Sequence, residues 1–292
     1  MRSFEYHRPQ SLADAVALLR GNDSAKLLAG GQSLLPVMKL DLAEPAHLVS
    51  LAGLRGAWGG ISVEGGELVV GALATHDEVS RSAEVRRSIP SLAALAAGIG
   101  DAQVRNRGTL GGSLAHADPA ADYPAAVLAL GATVVTDRRR IAADDFFTGL
   151  FATALAPDEI ITSVRFPVPA RAAYVKFPHR ASKFAVAGVM VAVAVPAAPA
   201  ASATPATPAT PATPPHIASG GVRVAVTGAA TRAFRVPALE AALAERFSPA
   251  AVTPEAMAAV GGGDLLSDSE ASAEFRAHLV AVMARRAVQA CI

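Results

Sequence analysis

The sequence predicts a two-domain protein of mixed strands and helices, and three observations carry that prediction. Short apolar runs rich in β-branched residues alternate with helix-capping signals along nearly the whole chain. Pro167 and Pro169 stiffen a short extended stretch that ends at Ala170 and divides residues 1–170 from 171–292. The length, 292 residues, is that of about two ordinary domains. Hydrophobic residues make up 52% and charged residues 17%. A charged share below the ~25% of an average domain means that most of the chain buries a core instead of staying disordered.

Taken in order, Ser11 is placed to cap a helix with Asp14 at its third position. Leu12, Ala15, Val16 and Leu19 would share its buried face, and Gly21-Asn22-Asp23 would end it. Lys26-Leu27-Leu28 reads as a strand running into Gly30-Gly31. Further strands are expected at 48–51, 61–63 and 68–71, a helix at 91–97, and a second glycine-rich turn at 108–113. Asp118, before Pro119, is expected to cap a helical turn. A helix at 123–130 and strands at 132–136 and 160–166 complete the first part. Beyond the prolines, strands at 174–177, 187–195 and 222–227 precede helices at 237–244, 254–260 and 272–288. The last has Glu270 and Glu274 near its start and Arg285 and Arg286 near its end, the sense that complements the helix dipole.

Between two of those strands, four Ala-Thr-Pro triplets run from Ala203 to Pro214. A proline at every third position fits neither a sheet nor a helix interior, so 196–219 reads as a low-complexity loop. No Lys, Arg, Asp or Glu occurs from Phe184 to Val222. Pro196 interrupts this stretch well short of the ~20 apolar residues of a membrane span, so its apolar part reads as a buried strand.

Composition narrows the chemistry. The net charge of +1 argues against a nucleic-acid partner. The one cysteine, Cys291, excludes an internal disulfide, a four-cysteine iron–sulfur cluster and a thiolate zinc site on this chain. The seven histidines are scattered without an HExxH pair, and His116 with Asp118 is too small a set, so no metal is expected. The polar start is unlike a signal peptide, and a cytoplasmic protein without a membrane span is expected. A redox cofactor, if there is one, must be held mainly by backbone and oxygen groups.

Two loops stand out. Ala29-Gly30-Gly31-Gln32-Ser33-Leu34-Leu35-Pro36 and Thr109-Leu110-Gly111-Gly112-Ser113 each join adjacent glycines to hydroxyl or amide side chains. Such turns let backbone N–H groups converge on an anion, and two of them can grip a pyrophosphate from both sides. Two ordinary turns are the plainer alternative. Neither loop is a P-loop or a G-x-G-x-x-G fingerprint, and Val224–Thr231 has one glycine where that fingerprint needs three. Gly261-Gly262-Gly263 reads as an interhelix loop. Arg105 and Arg107, just before the second loop, could balance phosphate charge or form surface ion pairs.

At these loops the chain resembles a known family. Lys26 to Pro36, with Gln103 to Asp122, is similar to the FAD-binding medium subunit of molybdenum hydroxylases. That family includes aerobic carbon monoxide dehydrogenase and the flavin domain of xanthine dehydrogenase. Tyr174 to Arg180 and Val224 to Ala230 resemble its C-terminal domain. The resemblance implies an α+β fold of the vanillyl-alcohol-oxidase (PCMH) type: two subdomains dividing near residue 56, closed by a C-terminal domain with a three-stranded antiparallel sheet. It implies FAD, with Ala29, Gly30, Gly31, Gln32 and Ser33 and Thr109, Leu110, Gly111, Gly112 and Ser113 on the pyrophosphate. Lys26 and Leu34 flank the first loop. Asp122 matches an acidic position that helps hold the flavin, Lys176 matches a lysine contact, and Phe184 falls where an aromatic lies beside the isoalloxazine. No catalytic residue is implied.

Ser113 replaces a frequent Asn, Asp41 a basic residue, and Ser182-Lys183 a frequent Gly-Asp. The implied role is electron transfer. Electrons would pass from a small [2Fe–2S] subunit, fed by a large molybdopterin subunit, through FAD to a quinone, dioxygen or NAD. The assembly would be a heterotrimer or a dimer of heterotrimers. A stand-alone FAD oxidase and a non-catalytic nucleotide-binding module are the alternatives. Because the triplets fit no regular element, deleting residues 202–214 is expected to leave flavin content and melting temperature unchanged, as read by visible absorbance and thermal unfolding.

Overall fold

The computed structural model describes residues 1–195, 221–261 and 264–292; the loop expected at 196–219 and most of the glycine run at 261–263 lie outside them. Three short strands open the chain: β1 (Glu5–His7), β2 (Ala25–Leu28) and β3 (His47–Ser50). They form a parallel sheet in the order β1-β3-β2. Parallel strands of one sheet need crossovers, and the helix Leu12–Arg20 supplies the one that leads from β1 past the place of β3 to β2. Ser11 caps it as predicted, accepting from Asp14 N at 3.1 Å. Ala15 and Leu19 of this helix are buried with Val49 and Leu51.

The second sheet is antiparallel. It comprises β4 (Ile61–Glu64), β5 (Glu67–Gly71), β6 (Thr133–Thr136), β7 (Arg140–Ala142) and β10 (Ile161–Pro167), in the order β4-β5-β10-β6-β7. Between β7 and β10, β8 (Phe147–Gly149) and β9 (Ala152–Thr153) pair with each other. Helices Pro90–Ala97, Leu110–His116 and Tyr123–Ala129 contribute to the core with this sheet. Every residue of Tyr123–Ala129 is buried, so this helix needs cover on all sides.

The third sheet supplies part of that cover. It contains β11 (Arg171–Pro178), β12 (Ala185–Val193) and β13 (Val222–Thr227), all antiparallel neighbours, as expected. A two-residue edge strand, β14 (Phe234–Arg235), makes it four-stranded. The apolar run that could be mistaken for a membrane span is β12. Met190 and Ala192 belong to the core shared with helix Tyr123–Ala129, whereas Val189 and Val191 alternate to the opposite face, among Val280, Met283 and Ala284 of the helix Ala273–Ala290. A strand covered on both faces has no place for charge. No helix among the described residues is long and apolar enough to cross a membrane.

Asp118 accepts from Ala120 N at 2.8 Å and caps a single turn, closed by Ala121 N donating to Asp118 O at 3.0 Å. The carbonyls that follow are claimed by residues of the third sheet and the turn after it. Pro119 O accepts from Gly228 N at 2.7 Å and from Thr227 Oγ1 at 2.9 Å, Ala121 O from Thr227 Oγ1 at 2.6 Å, and Ala120 O from Ala185 N at 3.0 Å.

Within the third sheet, Tyr174 leans across Gly188. A Cβ placed on Gly188 would stand 2.4 Å from the Tyr174 hydroxyl oxygen. Gly188→Ala is therefore expected to overpack the sheet and lower stability by about 1–3 kcal/mol in urea unfolding.

Candidate cofactor-binding site

Strand β2 delivers the first loop. Beyond Leu28 the chain leaves the sheet and turns through Ala29, Gly30, Gly31, Gln32 and Ser33 into the short helix Leu34–Lys39. Gly31 has φ +74°, a left-handed conformation that aims successive N–H groups to one side. Among the described residues, nothing accepts from the N–H groups of residues 30 to 34; the first bonds are Leu35 N to Gly31 O at 3.3 Å and Val37 N to Ser33 O at 3.2 Å. The Ser33 side chain makes no cap bond to its helix. Five consecutive amides without an acceptor among the described residues are donors suited to phosphate oxygens. Lys26 lies exposed on β2, Gln32 is exposed, and Leu34 is half-buried.

The second loop is built differently. An isolated antiparallel bridge pairs Thr109 with Thr75: His76 N donates to Gly108 O and Leu110 N to Ala74 O, both at 3.0 Å. Gly111 N donates to Ala72 O at 2.9 Å, and Gly112 N to Thr109 Oγ1 at 3.1 Å. The first-turn amides of helix Leu110–His116 are thus already used. This corrects the expectation that Leu110, Gly111 and Gly112 offer amides to a pyrophosphate. Leu110 is a core side chain, and a Cβ on Gly111 would stand 2.6 Å from Ala72 Cβ, so Gly111 lets the helix dock on the chain leaving β5. Ser113 is half-buried and retains its hydroxyl.

The two loops touch. A Cβ on Gly30 would lie 2.1 Å from Arg107 O, and one on Gly112 would lie 3.5 Å from Ala29 Cβ. Gly30 is therefore required by loop-on-loop contact, and the second loop acts as a wall that sets the shape of the first. Arg105 donates to Ile99 O at 3.0 Å and Gly100 O at 3.1 Å and forms no ion pair among the described residues.

Asp122, Lys176 and Phe184 form a second group. Asp122 is 4% exposed and accepts from the Tyr174 hydroxyl and from Lys176 Nζ, the latter at 3.0 Å. Lys176 Nζ also donates to Gly98 O at 3.0 Å and Lys183 O at 2.8 Å. Burial pushes the Asp122 carboxyl above its usual range, with Lys176 and Tyr174 pulling against the shift. The Tyr174 phenol is pushed up by burial and by the Asp122 charge. Phe184 is exposed at the end of the loop before β12, next to the carbonyl that Lys176 holds.

His76, which sequence reasoning missed, links the two groups. Its amide holds Gly108, while its ring lies 5.3 Å from that of Tyr123, the residue after Asp122. His76 Nδ1 and the Tyr123 hydroxyl have no partner among the described residues. Burial, aided by the Arg105 charge, lowers the His76 imidazole from 6.5 to about 4, so it is neutral at pH 7. A sequence signal was available: Thr75 and Glu78 form a reciprocal capping box that fixes a helix start at His76.

Comparison with known proteins decides the family. Residues 2–169 match the model described as FAD binding domain in molybdopterin dehydrogenase, and residues 217–291 match that of the CO dehydrogenase flavoprotein C-terminal domain. The chain belongs to the FAD-binding medium subunits of the molybdenum hydroxylases. It is 36% identical to the carbon monoxide dehydrogenase medium chain of Hydrogenophaga pseudoflava, over 98% of this chain and 96% of that one. It is 35% identical to the nicotine 6-hydroxylase medium subunit of Paenarthrobacter nicotinovorans, with the same coverage. The solved structure of carbon monoxide dehydrogenase from Hydrogenophaga pseudoflava matches with a TM-score of 0.86 and 35% identity, covering 99% of this chain and 97% of that chain. The fold is the family's α+β flavin fold and the cofactor is FAD. The free amides of the first loop fit the pyrophosphate of such a molecule.

His76 generates a pH dependence. The unfolded chain binds a proton at His76 below about pH 6.5, whereas the folded one does so only near pH 4. Stability therefore falls as pH drops through that window, by up to about 3 kcal/mol from this group. Urea unfolding at pH 7, 6 and 5 is expected to show that slope, and His76→Phe to flatten it.

Proposed function

We propose that this medium subunit carries electrons from the [2Fe–2S] clusters of a small partner subunit, through FAD, to an external acceptor. A large molybdopterin-containing subunit would oxidise the substrate. The observation that carries the reading is the joined pair of glycine loops in a chain with a single cysteine. Cys291 is buried, and burial pushes its thiol up to about 11. One inert thiol cannot ligate an iron–sulfur cluster, so the electron donor belongs on another chain.

Each side chain then has a physical task. The amides of Gly30, Gly31, Gln32, Ser33 and Leu34 bind the pyrophosphate, with the hydroxyls of Ser33 and Ser113 as further donors. Lys26 adds positive charge near the loop. Ala29, Thr109, Leu110, Gly111 and Gly112 shape the wall of the cradle. The Asp122–Lys176 pair fixes the loop that presents Phe184, whose exposed ring offers an apolar face to a flat aromatic system. When bound, FAD supplies one-electron chemistry that links a single-electron donor to a two-electron acceptor.

Support for a multi-subunit setting comes from the relatives, whose names describe medium subunits of carbon monoxide dehydrogenase and nicotine 6-hydroxylase. The stand-alone oxidase reading finds no comparable observation. Stopped-flow absorbance separates the two. On addition of substrate, the purified flavoprotein alone is expected to keep its flavin oxidised, and flavin reduction is expected only with both partner subunits present. Rapid reduction by this chain alone would overturn the proposal.

A further inference from the structure

We propose that Glu5, His7 and His47 form a binding site for a divalent cation of the zinc class, remote in sequence from both glycine loops. Parallel pairing of β1 with β3 sets Glu5 opposite His47, and the period-two alternation of a strand puts His7 on the same face as Glu5. Three donor atoms converge there. His7 Nε2 and His47 Nδ1 lie 3.1 Å apart, and Glu5 Oε2 lies 3.7 Å from the first and 3.5 Å from the second.

The three donor atoms stand close enough together for one ion to bridge them. The two imidazoles are at hydrogen-bond distance from each other, but the carboxylate stands beyond it from both. A point equidistant from the three donors lies about 2.0 Å from each, the length of Zn–N and Zn–O bonds. Two imidazoles with one carboxylate are a donor set suited to Zn²⁺ and its neighbours, and unsuited to Ca²⁺ or Mg²⁺. Ligation requires the Nδ1–H tautomer at His7 and the Nε2–H tautomer at His47. The imidazoles are 26% and 22% exposed and the carboxylate 72%, so the site is open to a cation, which would replace the His7–His47 hydrogen bond, and water would complete its shell. A bound ion would tie the three-residue edge strand β1 to the central strand β3.

The test uses the tag-free, flavin-loaded chain, dialysed free of metal and then equilibrated with Zn²⁺. One equivalent is expected to bind, with a rise in melting temperature. His7→Ala and His47→Ala are each expected to weaken binding at least about tenfold, while His278→Ala, on the exposed face of the C-terminal helix, leaves it unchanged. X-ray absorption at the zinc edge of the unmodified chain, which needs no variant to fold, is expected to show two imidazoles and oxygen ligands near 2.0–2.2 Å. Zinc occupancy no greater than in a His7→Ala/His47→Ala double variant, or a zinc shell without imidazole, would overturn the proposal.

Discussion

The buried carboxylate of Asp122 is the constraint on which the arrangement rests. It sits at the start of the helix Tyr123–Ala129 and takes hydrogen bonds from Tyr174 and Lys176, both on β11. A buried ion pair gains little net stability against its desolvation, but breaking one leaves an unpaired charge that the interior tolerates poorly. Its effect here is to fix position. Lys176 spends its other bonds on Gly98 O and Lys183 O, so one ammonium aligns the end of a helix, the start of another and the loop bearing Phe184. Gly188 completes the arrangement by leaving room for the Tyr174 ring.

The two glycine loops divide their labour. Among the described residues, the first keeps its amides without acceptors, since it leaves a parallel strand and enters a helix without a side-chain cap. The second gives its amides to Ala72, Ala74 and Thr109, and becomes rigid by doing so. Free donors are useful to a ligand only if their geometry is held by something else. Gly30 joins the two requirements, since only a residue without a side chain lets the donor loop rest on Arg107 O.

Much of this was legible in the sequence, and the rest was hidden for identifiable reasons. The Ser11 cap, the glycine pairs, the three strands at 174–177, 187–195 and 222–227 and the buried character of β12 follow from local composition and period. Whether an amide is free does not, because it depends on where the chain leaving β5 passes. His76 gains its role from a bridge between Thr75 and Thr109, segments that only the tertiary fold brings together. Likewise Glu5 and His7 meet His47 only after a parallel sheet has formed. The hold of Thr227 and Gly228 on the carbonyls of Pro119 and Ala121 was hidden too, because they lie more than a hundred residues downstream.

The placement of β12 has a consequence for how the chain is made. On the ribosome, the helix Tyr123–Ala129 emerges well before Thr227, yet β12 and β13 cover part of it and hold the carbonyls of residues 119 to 121. The first half of the nascent chain therefore waits with an apolar helix uncovered and a row of backbone acceptors unclaimed, a state that invites aggregation. Fixing Asp122 is likewise a late event in synthesis, because the strand carrying Tyr174 and Lys176 must arrive before it is held in place.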